Sequence, residues 1–282
     1  MILNVAKFPG GYASPASPVE SSEQKSYALT VSRNLQKQIL SIYGDFLSED
    51  GNGVDYEGMA KSDAFAAYVA STAELQHVEL GDLDENERKA FCLNLYNALC
   101  VHGNIVVGPP DASVKGSLGK FFGEVSYSIG GQNYSLDDIE HGILRNNAIH
   151  PSSGKQFFGE GDVRAKYVIP LDCRIHCALV CGAKSCPPIR LFSATNLERG
   201  LELAATNFVS SDTTVDIESR TVNTSKIFMW YGKDFGADDK ALLSWMVKYL
   251  KEPTKTALQK MLADGDEIKI TFADYNWSTN KQ

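Results

Sequence analysis

The run Asp172-Cys173-Arg174-Ile175-His176-Cys177-Ala178-Leu179-Val180-Cys181-Gly182-Ala183-Lys184-Ser185-Cys186-Pro187-Pro188 concentrates four of the chain's six cysteines with one of its five histidines and two cations. Thiols at that density can ligate a metal, exchange disulfides, attack an electrophile or line a buried helix. Cys173, Cys177 and Cys181 are spaced four apart, which on a helix gives one stripe roughly 12 Å long. Zinc ligands must converge on one tetrahedron, and no second cysteine pair completes a tetrad, so no metal is expected. A disulfide-exchange site wants Cys-x-x-Cys at a helix N-terminus, where the dipole favours the thiolate. Cys181 and Cys186 have four residues between them and follow the end of a helix expected over 173–181, which raises a thiol's pKa.

Nucleophilic Cys181 is the sharper reading, provided a base or cation stands beside it. His176 lies five residues earlier, about 140° around the same helix, and cannot face it. The base must come from elsewhere in the fold, as His102 or His141, with Lys184 and Arg174 adding positive potential. The competing reading is a row of small buried thiols with no chemistry.

Two further polar sets sit on apolar elements. Asn94, Asn97 and His102 share a long helix, and an interior Asn weakens a helix unless its amide has partners. They point to a buried hydrogen-bond network that ties the helix to loop carbonyls or orients a site. In Ser135-Leu136-Asp137-Asp138-Ile139-Glu140-His141-Gly142-Ile143-Leu144-Arg145, Asp138, His141 and Arg145 fall on one face. They form either a surface ion-pair ladder or the wall of a cleft. The aromatic runs Ile227–Tyr231 and Asp274–Trp277 read as core and lid packing.

The elements that must position these residues follow from periodicity. Residues 1–23, rich from residue 9 onward in Pro, Gly and Ser, are expected to be a flexible lead-in, and residues 24–282 one domain. Amphipathic helices are expected over 22–47, 62–75 and 84–106, the last opened by an Asp84/Glu87 capping box. Gly130-Gly131 joins a hairpin of 125–129 and 132–134, and Ser135 caps a helix over 136–144. Tyr167–Ile169 is expected as a strand. Helix 196–208, a hairpin about Glu218-Ser219, helices 237–251 and 253–263 and a strand 267–272 complete an α+β fold with a helical N-terminal half and small antiparallel sheets in the C-terminal half. Asp50-Gly51-Asn52-Gly53 is a turn; its register places Ser48 and Met59 where a calcium loop needs acids.

Composition narrows the function classes. With a net charge of −8 and a pI near 5.2, phosphate-backbone binding is excluded as the main role, and no basic helix suits a membrane surface. No apolar run reaches the roughly 18 residues of a membrane span. The first seven residues lack the order of a secretory signal, so a cytoplasmic location with reduced thiols is expected. No cofactor motif is read.

Together, Phe91-Cys92-Leu93-Asn94-Leu95-Tyr96-Asn97-Ala98-Leu99 with His102, Tyr134 through Arg145, Asp172 through Pro188, Phe228-x-Trp230-Tyr231-x-x-Asp234-Phe235 and Asp274-Tyr275-Asn276-Trp277-Ser278 resemble the DUF547 domain. The resemblance covers residues 50–280 and implies a domain without a settled activity. It also implies that Cys92, which replaces an aromatic residue, has no shared role, and that Cys181 is a better thiol candidate than Cys186.

The expected function is a thiol-dependent hydrolase or acyl transferase. Cys181 is its nucleophile, His102 or His141 its base, and Asn97 or Glu140 the orienter. Arg145, Arg174, His176 and Lys184 are the candidate contacts to ligand. The alternative is a non-catalytic module whose polar network binds a small molecule or peptide, with Cys181 inert.

Overall fold

The computed structural model describes residues 1–5, 21–49, 53–111, 113–114, 116–183, 185–265 and 267–278. Most of the expected lead-in, Asp50, Gly51, Asn52 and Lys184 lie outside the described residues. The organising element is a long helix, fourth in order after α1 (Ser21–Asp45), α2 (Tyr56–Lys61) and α3 (Asp63–Ser71). This helix, α4 (Glu85–Val106), opens on the expected capping box: Glu87 N–H donates to Asp84 Oδ1 at 3.0 Å and Asp84 N–H to Glu87 Oε2 at 2.9 Å. Every residue from Lys89 to Asn104 is buried, so α4 is wrapped on all sides rather than along one stripe. Leu35, Ile39 and Ile42 of α1 belong to the apolar core that encloses it.

Two of its buried asparagines, Asn94 and Asn97, grip non-helical chain. Asn94 Nδ2 donates to Phe192 O and its Oδ1 accepts from Phe192 N–H, both at 2.8 Å. Asn97 does the same to the other stretch, donating to Ala178 O at 3.1 Å and accepting from Val180 N–H at 2.9 Å. The expected helix over 173–181 is therefore corrected to a single 3-10 turn, Cys173–Cys177, started by Asp172 accepting from Arg174 N–H. An α-helix through 181 would need the same Ala178 carbonyl and Val180 amide for its own ladder, and Asn97 takes both. The three cysteines thus form no helical stripe. Cys181 sits at no helix end, and the angular argument that separated His176 from it no longer holds.

After α5 (Ser117–Glu124), β1 (Ser126–Ile129) and β2 (Gln132–Ser135) form the expected antiparallel hairpin. Gly130 and Gly131 supply φ of +54° and +76° at the two turn positions. The first residues lie along this hairpin: Leu3 N–H donates to Ser126 O, and the buried Asn4 amide brackets Ser128. Ser135 and Asp138 cap each other's amides, but the following turn is wider than an α-helix. Asp138–Leu144 is π-helical, with Arg145 N–H reaching back to Glu140 O. Gly142 lets this turn press on the Phe158 ring, where a Cβ would stand only 2.4 Å from ring carbon. Tyr167–Ile169 forms no strand; a 3-10 turn, Val163–Tyr167, precedes it and Ile169 N–H donates to Ile143 O.

The C-terminal half contains α6 (Leu197–Asp212), β3 (Thr214–Asp216), β4 (Thr221–Thr224), α7 (Lys226–Trp230), α8 (Gly232–Phe235), α9 (Asp239–Tyr249), α10 (Thr254–Asp264) and β5 (Lys269–Phe272). The architecture is α+β. Its second sheet is mixed, because β5 returns parallel to β4 while β3 pairs with β4 antiparallel.

Two substitutions test this packing. Asn97→Ala strands the Val180 amide and the Ala178 carbonyl, at about 1–3 kcal/mol for each group left unpaired. Gly142→Ala should lower stability by about 1–3 kcal/mol through overpacking on Phe158. Urea unfolding midpoints read both, and an unchanged midpoint for Asn97→Ala would show that its amide is solvated.

Candidate active-site cleft

The extended stretch after the 3-10 turn, the π turn, α5, α7 and the chain's last described residues enclose a cleft of about 600 Å³. Its apolar walls include Leu118, Phe122, Leu179 and Met229, and Trp230, Tyr275 and Trp277 cluster at one side with ring centroids 4.6 to 5.7 Å apart. Its polar lining includes Asp137, Glu140, His150, His176, Cys181 and Tyr231.

His176, brought in by the 3-10 turn, is oriented by Asp234 of α8. Its Nε2 lies 2.8 Å from Asp234 Oδ2. Arg145 binds the same carboxylate with two prongs, Nε to Oδ2 at 2.7 Å and Nη2 to Oδ1 at 2.9 Å. Burial raises the Asp234 carboxyl, but these donors outweigh it and hold it at about 2. An ionised Asp234 keeps the proton on His176 Nε2 and leaves Nδ1 as the basic nitrogen. Tyr231 stacks on the imidazole at 4.0 Å and carries the Arg145 guanidinium near its ring at 4.9 Å.

The π turn supplies a second group of ionisable side chains. Burial pushes the Glu140 carboxyl up, yet the His141 and His176 imidazoles and the hydroxyls of Tyr231 and Tyr96 hold it below the usual carboxylate range. Tyr231 donates to it at 2.9 Å. Burial holds the His141 imidazole down at about 4. Asp137 moves the other way, pushed up to about 7 by burial and by the negative charges of Glu140 and Asp138. Asp137, His141 and His150 each bring one ligating atom within 4.8 Å of the others.

The thiols meet at the cleft's edge. Cys181 and Cys186 have their sulfurs 3.0 Å apart, and each is 3.6 Å from the Tyr275 hydroxyl. Cys181 also donates its backbone N–H to Cys186 Sγ at 3.2 Å. That extra donor makes the pair unequal. The Cys181 thiol as donor brings Cys186 down to about 7, while hydrogen bonding to Cys186 and burial push Cys181 up.

Several expected residues belong elsewhere. His102 is buried among Phe65, Tyr68 and Tyr127, with Nδ1 on the Tyr127 hydroxyl at 2.8 Å, and it does not line the cleft. Asn97 orients backbone, not a base. Arg174 is bound to Asp172, Glu198 and Glu202 and fastens the 3-10 turn to α6. Arg145 is committed to Asp234 and to His141 Nδ1, and so acts through those residues. The expected Asp138–His141–Arg145 ladder is not formed, because Asp138 pairs with Arg164 and the rest of the face is buried. Asp137, His150, Tyr231 and Asp234 were missed as cleft groups. Tyr231 and Asp234 stand in one of the motifs noted above, whereas nothing about the spacing of His150 marks it.

Buried neutral histidines set an acid limit. Burial holds His102 at about 3 and His141 at about 4, against an ordinary value of 6.5. The unfolded chain therefore binds more protons as pH falls below about 6.5. Stability should be fullest above that pH and be lost toward pH 3, with a slope of at most about 1.4 kcal/mol per pH unit for each ring. Denaturant unfolding from pH 7 to pH 3.5 reads the slope, and His102→Gln should make it shallower.

No curated protein and no solved structure matches the chain. Residues 80–209 match the family model described as protein of unknown function, DUF547. The matched stretch contains both asparagine clamps, the π turn, His176 and Cys181, while Asp234 and Tyr275 follow it. The similarity to that family extends over residues 80–209.

Proposed function

We propose that the chain is a thiol-dependent hydrolase or acyl transferase in which Cys181 is the nucleophile and the Asp234-held His176 is the base. The observation that carries this reading is that Cys181 and an imidazole fixed by a carboxylate line one cleft, with a second thiol 3.0 Å from Cys181. Among the described residues His176 is hydrogen-bonded through Nε2 alone, and Nδ1 is the nitrogen that would take a proton.

The chemistry balances as follows. Cys181 Sγ bonds to the carbonyl carbon of an ester or thioester as its proton passes to the Cys186 sulfur. The bond to the leaving group breaks, and that group departs with the proton. In hydrolysis, water then attacks the acyl-thioester while His176 Nδ1 takes its proton. The C–S bond breaks, the acid leaves, and the proton returns to the Cys181 sulfur. Apolar walls suit an acyl group or aromatic body.

A non-catalytic pocket is the second reading, favoured by the upward push on the Cys181 thiol. Turnover of p-nitrophenyl esters of graded acyl length separates the two. The expected result is a burst of nitrophenol with an acyl adduct mapped to Cys181. Cys181→Ser should abolish the adduct without unfolding the chain, and Asp234→Asn should slow turnover by about 100-fold or more. Iodoacetamide labelling should rise through pH 7, the range to which Cys186 is lowered. Sluggish labelling of both thiols up to pH 9, with no adduct, would favour the binding pocket.

A further inference from the structure

Asp137, His141 and His150 bring a carboxylate oxygen and two imidazole nitrogens close together, a composition that invites a metal. The hydrogen bonds of the two rings argue otherwise. His141 Nδ1 lies 2.9 Å from Arg145 Nη1. A guanidinium can only donate, so Nδ1 presents its lone pair there and the proton of the neutral ring sits on Nε2. His150 repeats the pattern, its Nδ1 accepting the backbone N–H groups of Ser152 at 3.1 Å and Ser153 at 3.0 Å. Those amides are donors only, so the proton of His150 is also on Nε2.

A metal-bound histidine is built the opposite way: one nitrogen gives a lone pair to the ion while the other donates its N–H to a carboxylate or carbonyl. Here both Nδ1 lone pairs are already used and both Nε2 atoms carry hydrogen. The spacing agrees. His141 Nε2 and Asp137 Oδ1 are 3.8 Å apart. With metal bonds of about 2.1 Å that separation requires an angle near 130° at the ion, wide for a tetrahedral site. With hydrogen bonds of about 2.8 Å it requires about 85°, which a single oxygen atom can span.

We infer that Asp137, His141 and His150 seat the hydroxyl oxygen of a neutral alcohol, the two Nε2–H groups donating to that oxygen and the Asp137 carboxylate accepting its hydrogen. The rest of the cleft selects the same class. No Lys or Arg lines it among the described residues, and Glu140 is held as an anion, so a carboxylate or phosphate ligand would find no counter-charge. Phe122, Met229, Trp230 and Trp277 offer apolar and aromatic surface to the body of the alcohol. Resting on the acyl-transfer reading above, this hydroxyl is the acyl acceptor. Its oxygen bonds to the thioester carbon as its proton passes to Asp137, and the C–S bond breaks to return the Cys181 sulfur as thiolate.

Nitrogen-15 NMR of the histidine rings tests the seat without relying on turnover. At pH 7.5 both His141 and His150 should show a bare Nδ1 and a protonated Nε2. Saturating 2-phenylethanol should shift both Nε2 signals, acetate should not, and His150→Ala should weaken 2-phenylethanol binding at least tenfold. Cys181→Ser should give the same spectra and the same binding, so a failure of the thiol chemistry would leave these results standing. A protonated Nδ1 on either ring, stoichiometric zinc binding that His150→Ala removes, or no response of either Nε2 to 2-phenylethanol would each overturn the assignment.

Discussion

Two side-chain amides on a buried helix hold the extended chain that borders the cleft. Asn94 and Asn97 each offer a donor and an acceptor to the backbone, and so act as a strand would, pairing with Phe192 on one side and with Ala178 and Val180 on the other. The segment between those points includes Cys181 and Cys186. Without the amides its polar groups near α4 would be buried unpaired. Helix burial on every side excludes water as a substitute partner, which makes these clamps a condition for the cleft to exist.

Charge is organised around the same region. Asp234, Arg145, His176, His141 and Glu140 form one connected set in which Arg145 and Asp234 satisfy each other with two hydrogen bonds. Burying such a pair costs desolvation, and the bidentate geometry with additional donors is what offsets it. The consequence is orientational. Arg145 fixes the lone pair of His141 toward itself, and Asp234 fixes the proton of His176 toward itself. The tautomer of each ring follows from one fixed partner, which leaves His141 a donor and His176 an acceptor. Two histidines of the same type thus have opposite chemical roles.

The carboxylates divide in a similar way. Glu140 is supplied with phenol donors and stays ionised, whereas Asp137, buried beside two like charges, holds its proton up to about pH 7. The wide π turn matters here, since it turns Glu140 and His141 inward together, and Gly142 gives the room for Phe158 to close over it. The thiols show the same principle on a smaller scale, one sulfur gaining a backbone donor that the other lacks.

The local patterns were legible in the sequence. The Asp84/Glu87 capping box, the Gly130-Gly131 turn and the apolar spacing of α1 and α4 are properties of neighbouring residues, and each element formed near the expected place. The need of Asn94 and Asn97 for partners was also readable, because an interior amide on a helix must be satisfied. What the partners were was not. Residues 173–181 carry a helical pattern, yet Asn97, more than seventy positions earlier, takes the hydrogen-bonding groups that a helix there would use. His102 carries the same ring as His176 and His150, but only packing decides that it lies among Phe65, Tyr68 and Tyr127 while the others reach the cleft. Tertiary structure decided the carboxylate partner of His176 and the tautomers of His176 and His141, because each depends on which distant donor or acceptor stands within about 3 Å, a distance that spacing along the chain does not encode.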